Sequence, residues 1–203
     1  MRILLALILL LSTFSCGNSD NLLPLTIGNT WTYASNLSSK IVLKVTRKEK
    51  VGGVECYVLE SSPEQLGKLV AESATEDYLE PSAKMLIRHK RYFMNDNSEM
   101  LYQPPQVILH YPLTPGKTWR WKGKQGKKDA EYSFTAAGEE TVHALGRNFK
   151  CRKLVMTSGK EGEYSSTRWY CPGIGIIKEQ TVMSSGLGKK LELNLELMDY
   201  DLK

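Results

Sequence analysis

Apolar and polar positions alternate with a period of two along most of the chain, the signature of half-buried β-strands. Ile41, Leu43 and Val45 alternate with Val42, Lys44 and Thr46; Val54, Cys56 and Val58 share one face; Leu191, Leu193, Leu195 and Leu197 are interleaved with Glu192, Asn194 and Glu196. Turn residues at Gly52-Gly53, from Ser158 to Gly162, and at Ser184-Ser185-Gly186 punctuate these runs at hairpin spacing. One segment admits two readings. Ser62 as an N-cap, Pro63 at the first helical position and Leu66, Leu69 and Val70 on one face suit a short helix, while its place in the chain also suits a strand running on through Ala74 and Tyr78. The pattern predicts a mainly β domain with at most short helices.

A second regularity is a repeat. Pro24-Leu-Thr-Ile-Gly-Asn-Thr-Trp31 returns as Pro112-Leu-Thr-Pro-Gly-Lys-Thr-Trp119, with Tyr33 and Trp121 matched two residues on. Gly53-Val-Glu-Cys56 corresponds loosely to the run from Gly146 to Cys151, and Asp77-Tyr78-Leu-Glu-Pro81 to Trp169-Tyr170-Cys-Pro172. Two similar halves follow, about 22–94 and 111–186, with a closing strand at about 190–200. Residues 95–106, rich in breakers and holding Pro104-Pro105, are expected to connect the halves.

The first sixteen residues break the pattern. Arg2 precedes an unbroken apolar run from Ile3 to Leu11, then Ser12-Thr-Phe-Ser-Cys16, which is the layout of a secretory signal and its cleavage region. The run is far short of the roughly 20 residues that cross a bilayer. Ser15-Cys16 followed by polar residues 17–21 resembles a bacterial lipoprotein processing site, with diacylglycerol on Cys16, a flexible tether at 17–21 and one β domain over 22–203. Cleavage after Ser15 by a general signal peptidase is the rival reading. By the same resemblance, Gly17 after the cysteine leans towards the outer membrane.

The chain of 203 residues, 41% apolar and 24% charged, is long enough to bury a core without metal or disulfides. Removing residues 1–16 leaves a net charge of +4, which is mild. Lys122, Lys124, Lys127 and Lys128, and separately Arg88, Lys90 and Arg91, are basic groups able to meet anionic headgroups or nucleic acid. Solvated lysines on a glycine-containing loop are the plainer reading, and no nucleic-acid partner is expected.

Catalytic chemistry finds no constellation. His89, His110 and His143 lack ligand spacing, so no metal or other cofactor is expected; Glu76-Asp77 and Glu139-Glu140 are adjacent, which on strands sends each pair to opposite faces; no serine sits in a nucleophile elbow. The domain is therefore expected to be non-enzymatic. Trp31, Tyr33, Trp119, Trp121, Trp169 and Tyr170 are candidates to line an apolar ligand cavity, with core packing as the alternative. Cys151 and Cys171 lie ten residues either side of Glu161, opposite each other across a hairpin, so they form either a disulfide or, with Cys56, three buried thiols.

Pro-Leu-x-x-Gly-x-x-Trp-x-Tyr near the mature start, a Gly-x-x-x-Cys strand, and Trp169-Tyr170-Cys-Pro172-Gly173-Ile-Gly175-Ile-Ile-Lys178 are similar to bacterial lipoproteins of unknown function, themselves related to Lol-type lipoprotein carriers and lipid-binding envelope proteins. The resemblance implies a strongly curved antiparallel sheet or incomplete β-barrel over an apolar face. It also implies an exported, lipid-anchored envelope protein that binds a lipid or other hydrophobic ligand. The alternative is an envelope protein-interaction or assembly module.

Overall fold

Alternating residues become twelve strands in the computed structural model, which describes residues 21–37, 40–63, 74–159, 164–184 and 190–203. They are β1 (Thr30–Ser35), β2 (Lys40–Val51), β3 (Val54–Pro63), β4 (Thr75–Pro81), β5 (Met85–Phe93), β6 (Ser98–His110), β7 (Thr118–Gln125), β8 (Lys128–Ala144), β9 (Arg147–Ser158), β10 (Tyr164–Cys171), β11 (Gly175–Ser184) and β12 (Lys190–Asp201). Each pairs antiparallel with its neighbours in sequence, and β1 pairs with β12, so the curved sheet closes into a barrel and leaves no free edge. No helix occurs among the described residues. Ser62 and Pro63 end β3, opposite Val42 and Ile41, and residues 66, 69 and 70 of the helix alternative lie outside the described residues, as does Cys16.

Period-two faces are realised as expected. Ile41, Leu43 and Val45 on β2 point into the barrel with Leu193, Leu195 and Leu197 on β12, whereas Leu191 at the end of β12 is exposed. Cys56 and Val58 take the opposite face of β3 and pack with Tyr78 in a small outer cluster.

The repeated octapeptide makes the same turn twice. Asn29 N–H donates to Thr26 C=O at 3.0 Å and Lys117 N–H to Thr114 C=O at 3.1 Å; Gly28 and Gly116 N–H each donate at 2.8 Å, to Val45 and Ala136. Val45 and Ala136 then donate back to Asn29 and Lys117. Gly28 and Gly116 have φ of 96° and 81°, a left-handed backbone that explains glycine at both places. The sequence pattern thus encodes the entry into β1 and β7.

Residues 95–106 depart from their expected role as a connection. A turn occupies 94–97, and Ser98–His110 is β6, with both prolines inside it. Proline has no N–H for a ladder, and here none is required. The β5–β6 register jumps from Arg88↔Gln106 to Lys90↔Leu101, so residues 102–105 bulge away from β5. Tyr102 and Gln103 pair instead with Gln125 and Lys124 of β7, and these two pairs are the whole β6–β7 register. Beyond them the seam is held by indoles, since Trp121 Nε1 donates to Pro104 C=O at 2.9 Å and Trp119 Nε1 to Val107 C=O at 3.0 Å.

Gly123 lets the seam close, because a Cβ there would lie 2.4 Å from the Gln103 carbonyl oxygen. Gly123→Ala is expected to cost about 1–3 kcal/mol by overpacking. Amide exchange should rise first in β6 and β7, and unchanged protection there would show that the seam tolerates a methyl.

The chain before β1 fills one end of the barrel: Leu22, Leu23 and Leu25 are buried, and Gly173 N–H donates to Asn21 C=O at 2.8 Å. The tip of the β8–β9 hairpin reaches β12, where Arg147 donates to the Tyr200 hydroxyl at 2.7 Å.

Candidate functional site

Within the barrel lies a cavity of about 240 Å3, lined from β2 to β5, β6 and β10 to β12, with Leu23 at its base. Its rim is mainly apolar, with Ile41 and Leu43 at the start of β2, Pro63 at the end of β3, and Leu193 and Leu195 near the start of β12; Ser61 and Thr75 are the polar residues among them. Deeper in, the wall carries five charged side chains, Asp77, Arg88, Arg91, Arg168 and Glu179.

Local irregularities place these charges. Strict alternation sends Arg88 and Arg91 to opposite faces, but the β4–β5 register passes from Tyr78↔Lys90 to Leu79↔Arg88, making His89 an extra residue. This bulge turns both arginines inwards and leaves Lys90 outside, 4.0 Å from the Tyr78 ring centre. Adjacent Glu76 and Asp77 split between faces: Glu76 accepts from Arg47 at 2.7 Å, and Asp77 faces the cavity.

Asp77 accepts from Arg91 Nε at 2.8 Å and Nη2 at 2.7 Å, and from Arg88 Nη2 at 2.9 Å. Burial opposes its charge, yet the Arg88 and Arg91 guanidiniums hold the carboxyl down to about 2. Glu179 takes a two-pronged contact from Arg168, at 2.9 and 3.1 Å, and lies within 3.2 Å of Ser166 Oγ and 3.0 Å of Thr181 Oγ1. Burial again opposes the charge, and Arg168 outweighs it, so the Glu179 pKa is lowered.

A depressed carboxylate pKa stabilises the fold above its unfolded value and loses that contribution as pH falls through the folded value. For Asp77 the window runs from about 3.8 down to about 2, worth about 2 kcal/mol. Denaturant unfolding measured across that window should show the loss, and Asp77→Asn should shrink it; an unchanged acid slope in that variant would assign the effect elsewhere.

Of the six aromatic candidates, Tyr170 lines this cavity. Trp31 and Tyr33 are fully buried and reach across to β11 and the turn before it, with Trp31 Nε1 donating to Ile174 C=O at 2.6 Å and the Tyr33 hydroxyl to Ile176 C=O at 2.9 Å. Trp119 stacks on Phe134 with ring centres 5.0 Å apart, and Trp121 meets Tyr102 edge-on at 5.8 Å, both beside the β6–β7 seam. Trp169 faces outwards, with Lys153 and Lys178 ammoniums 5.1 and 5.5 Å from its ring. Adjacent strand residues take opposite faces, which separates Trp169 from Tyr170.

The β9–β10 ladder pairs Tyr170 with Arg152, and its next step sets Cys171 opposite Cys151. Both are buried free thiols in this structure, as is Cys56. The Cys171 sulfur beside it, together with burial, pushes the Cys151 thiol up. Lys122, Lys124, Lys127 and Lys128 are exposed around the β7–β8 turn. Among the described residues, no group of three His, Cys, Asp or Glu is placed to hold a metal ion.

No family model and no curated protein matches this chain. Among solved structures, the chain is similar to a protein described as exported, with a YmcC-like fold, from Bacteroides fragilis, at 17% identity and a TM-score of 0.48 over 88% of this chain and 98% of that one. It is also similar to the hypothetical lipoprotein YmcC from Escherichia coli, at 14% identity and a TM-score of 0.43 over 94% and 93% of the two chains. A protein described as a lipoprotein from Parabacteroides distasonis gives 15% and 0.38 over 89% and 98%.

Proposed function

We propose that this chain is a non-enzymatic cell-envelope protein, tethered to the outer membrane by lipid on Cys16, that holds a lipid or other hydrophobic ligand in the hollow of its barrel. The observation that carries the reading is the cavity with its apolar rim of Ile41, Leu43, Pro63, Leu193 and Leu195. Apolar side chains around an opening lose little by accepting an apolar guest and gain roughly 25 cal/mol for each Å2 of guest surface covered.

The tether fits this use. Asn21 is bound to Gly173 at the closed end, five residues from Cys16, and five extended residues span at most about 18 Å. An anchor on Cys16 therefore keeps the closed end against the membrane and turns the rim away from it.

Native mass spectrometry with organic extraction, on the full chain carrying Cys16→Ser and exported to a periplasm, tests the reading. An extractable hydrophobic compound at about one per chain supports it. A clean apo mass that persists when envelope lipids are offered sinks it, in favour of an envelope interaction module docking through Lys122, Lys124, Lys127 and Lys128.

Export also makes oxidation of Cys151 with Cys171 part of the proposal. Intact mass under non-reducing conditions should be lower by two hydrogens than after reduction, and reduction should lower stability by about 3 kcal/mol in the chain-entropy model. Two free thiols in periplasmic protein would refute the pairing.

A further inference from the structure

A cavity meant solely for apolar guests needs no charge, yet this one carries three arginines against two carboxylates. Asp77 and Glu179 each neutralise one guanidinium, which leaves one positive charge in the cavity wall without a counter-charge among its lining residues. Uncompensated charge away from water is costly, so a fold that retains it calls for an anion.

Arg88 identifies where the surplus sits. It is 7% exposed and lines the cavity; Nη2 donates to Asp77, which is already gripped by Arg91, and Nη1 reaches Gln106 Oε1 at a long 3.3 Å. Its Nε is buried and donates to no acceptor among the described residues.

About 240 Å3 is below the roughly 300–1,000 Å3 of sites for drug-sized molecules, so the space suits a slim chain and excludes a many-chained lipid. The charged belt lies below the apolar rim, because Arg88, Arg168 and Glu179 sit mid-strand while Ile41, Leu43 and Leu193 sit near the strand ends at the opening.

We propose that the cavity takes a single-chain anionic amphiphile, its carboxylate or phosphate head on Arg88 in the charged belt and its acyl chain running outward along Ile41, Leu43, Leu193 and Leu195. This rests on the hydrophobic-ligand reading and adds the head, its charge and its direction.

Titration calorimetry on the full chain carrying Cys16→Ser would compare dodecanoate with dodecanol, which shares the chain and lacks the charge, and with acetate and inorganic phosphate, which lack the chain. Dodecanoate is expected to bind at least roughly tenfold tighter than dodecanol, since hydrogen bonds to charged groups carry that much discrimination. Arg88→Met should erase the difference, and Arg88→Lys, which keeps the charge without the Nε donor, should leave part of it. A dodecyl phosphate arm reports which anionic head is preferred, and its binding above dodecanol supports the inference equally.

Equal binding of dodecanoate and dodecanol overturns the anionic head while leaving a hydrophobic site standing. Acetate or phosphate binding as tightly as dodecanoate overturns the acyl chain and makes this a small-anion site. Failure of every probe to bind removes the hydrophobic-ligand reading itself. Should Arg88→Met not fold, the comparison in the unsubstituted cavity together with Arg88→Lys still decides.

Discussion

Glu179→Ala is expected to destabilise the protein by about 3–5 kcal/mol, because it strands Arg168 in the barrel with its two-pronged partner gone. The damage comes from the unpaired charge and not from lost packing, since the carboxylate is the group that collects Arg168, Ser166 and Thr181. The joint variant Arg168→Met with Glu179→Leu should therefore recover most of the loss, as apolar side chains of similar volume replace both ions. Urea unfolding of Arg168→Met, of Glu179→Leu and of the pair forms a double-mutant cycle. If the pair were as unstable as the sum of the singles, the two residues would be acting independently and the ion-pair account would fail.

Trp31→Ala should have an effect of similar size for a different reason. The indole is fully buried, and its removal leaves a large void while depriving the Ile174 carbonyl of its 2.6 Å donor, together about 3–5 kcal/mol. Gly175, with φ of 121°, lies close enough that a Cβ there would sit 2.9 Å from Trp31 Nε1, so the site is closely packed and has little freedom to collapse. Trp31→Phe would separate the contributions, keeping much of the ring volume and losing the donor. A Trp31→Ala protein of native stability that had lost ligand would return Trp31 to the candidate ligand wall and refute its role as packing.

These expectations part company with the idea that matched aromatics converge on one cavity. The octapeptide repeat places Trp31 and Trp119 after the same turn, and in both cases the indole N–H is spent on a backbone carbonyl, of Ile174 in one and Val107 in the other. Bulk and a single donor made them suitable for a ligand wall and equally for bracing the barrel. Sequence spacing does not distinguish the two uses, because it does not say which carbonyl the donor will meet.

The charged belt was harder still to foresee. Asp77, Arg88, Arg91, Arg168 and Glu179 are scattered over four strands, and each looks like an ordinary surface residue in its own run. Arg88 and Arg91 reach the same face through the bulge at His89, and one extra residue reverses every alternation beyond it. The one sequence signal available was the polar series Ser166, Arg168, Tyr170 on alternate positions of β10, which reads as an exposed face until the barrel closes around it.

What this sequence determined by itself is what local physics controls. Period-two alternation specified strands such as β2 and β12, the glycines at 28 and 116 specified the two repeated turns, and ten residues either side of Glu161 specified that Cys151 and Cys171 face each other. The tertiary structure alone decided that β1 meets β12, that the prolines of β6 fall in a bulge, and that arginines occupy the interior. Those outcomes depend on closure. Which face of a strand is inside, and which backbone group is left for an indole to cap, are properties of the whole ring of twelve strands and of the bulges that shift its register.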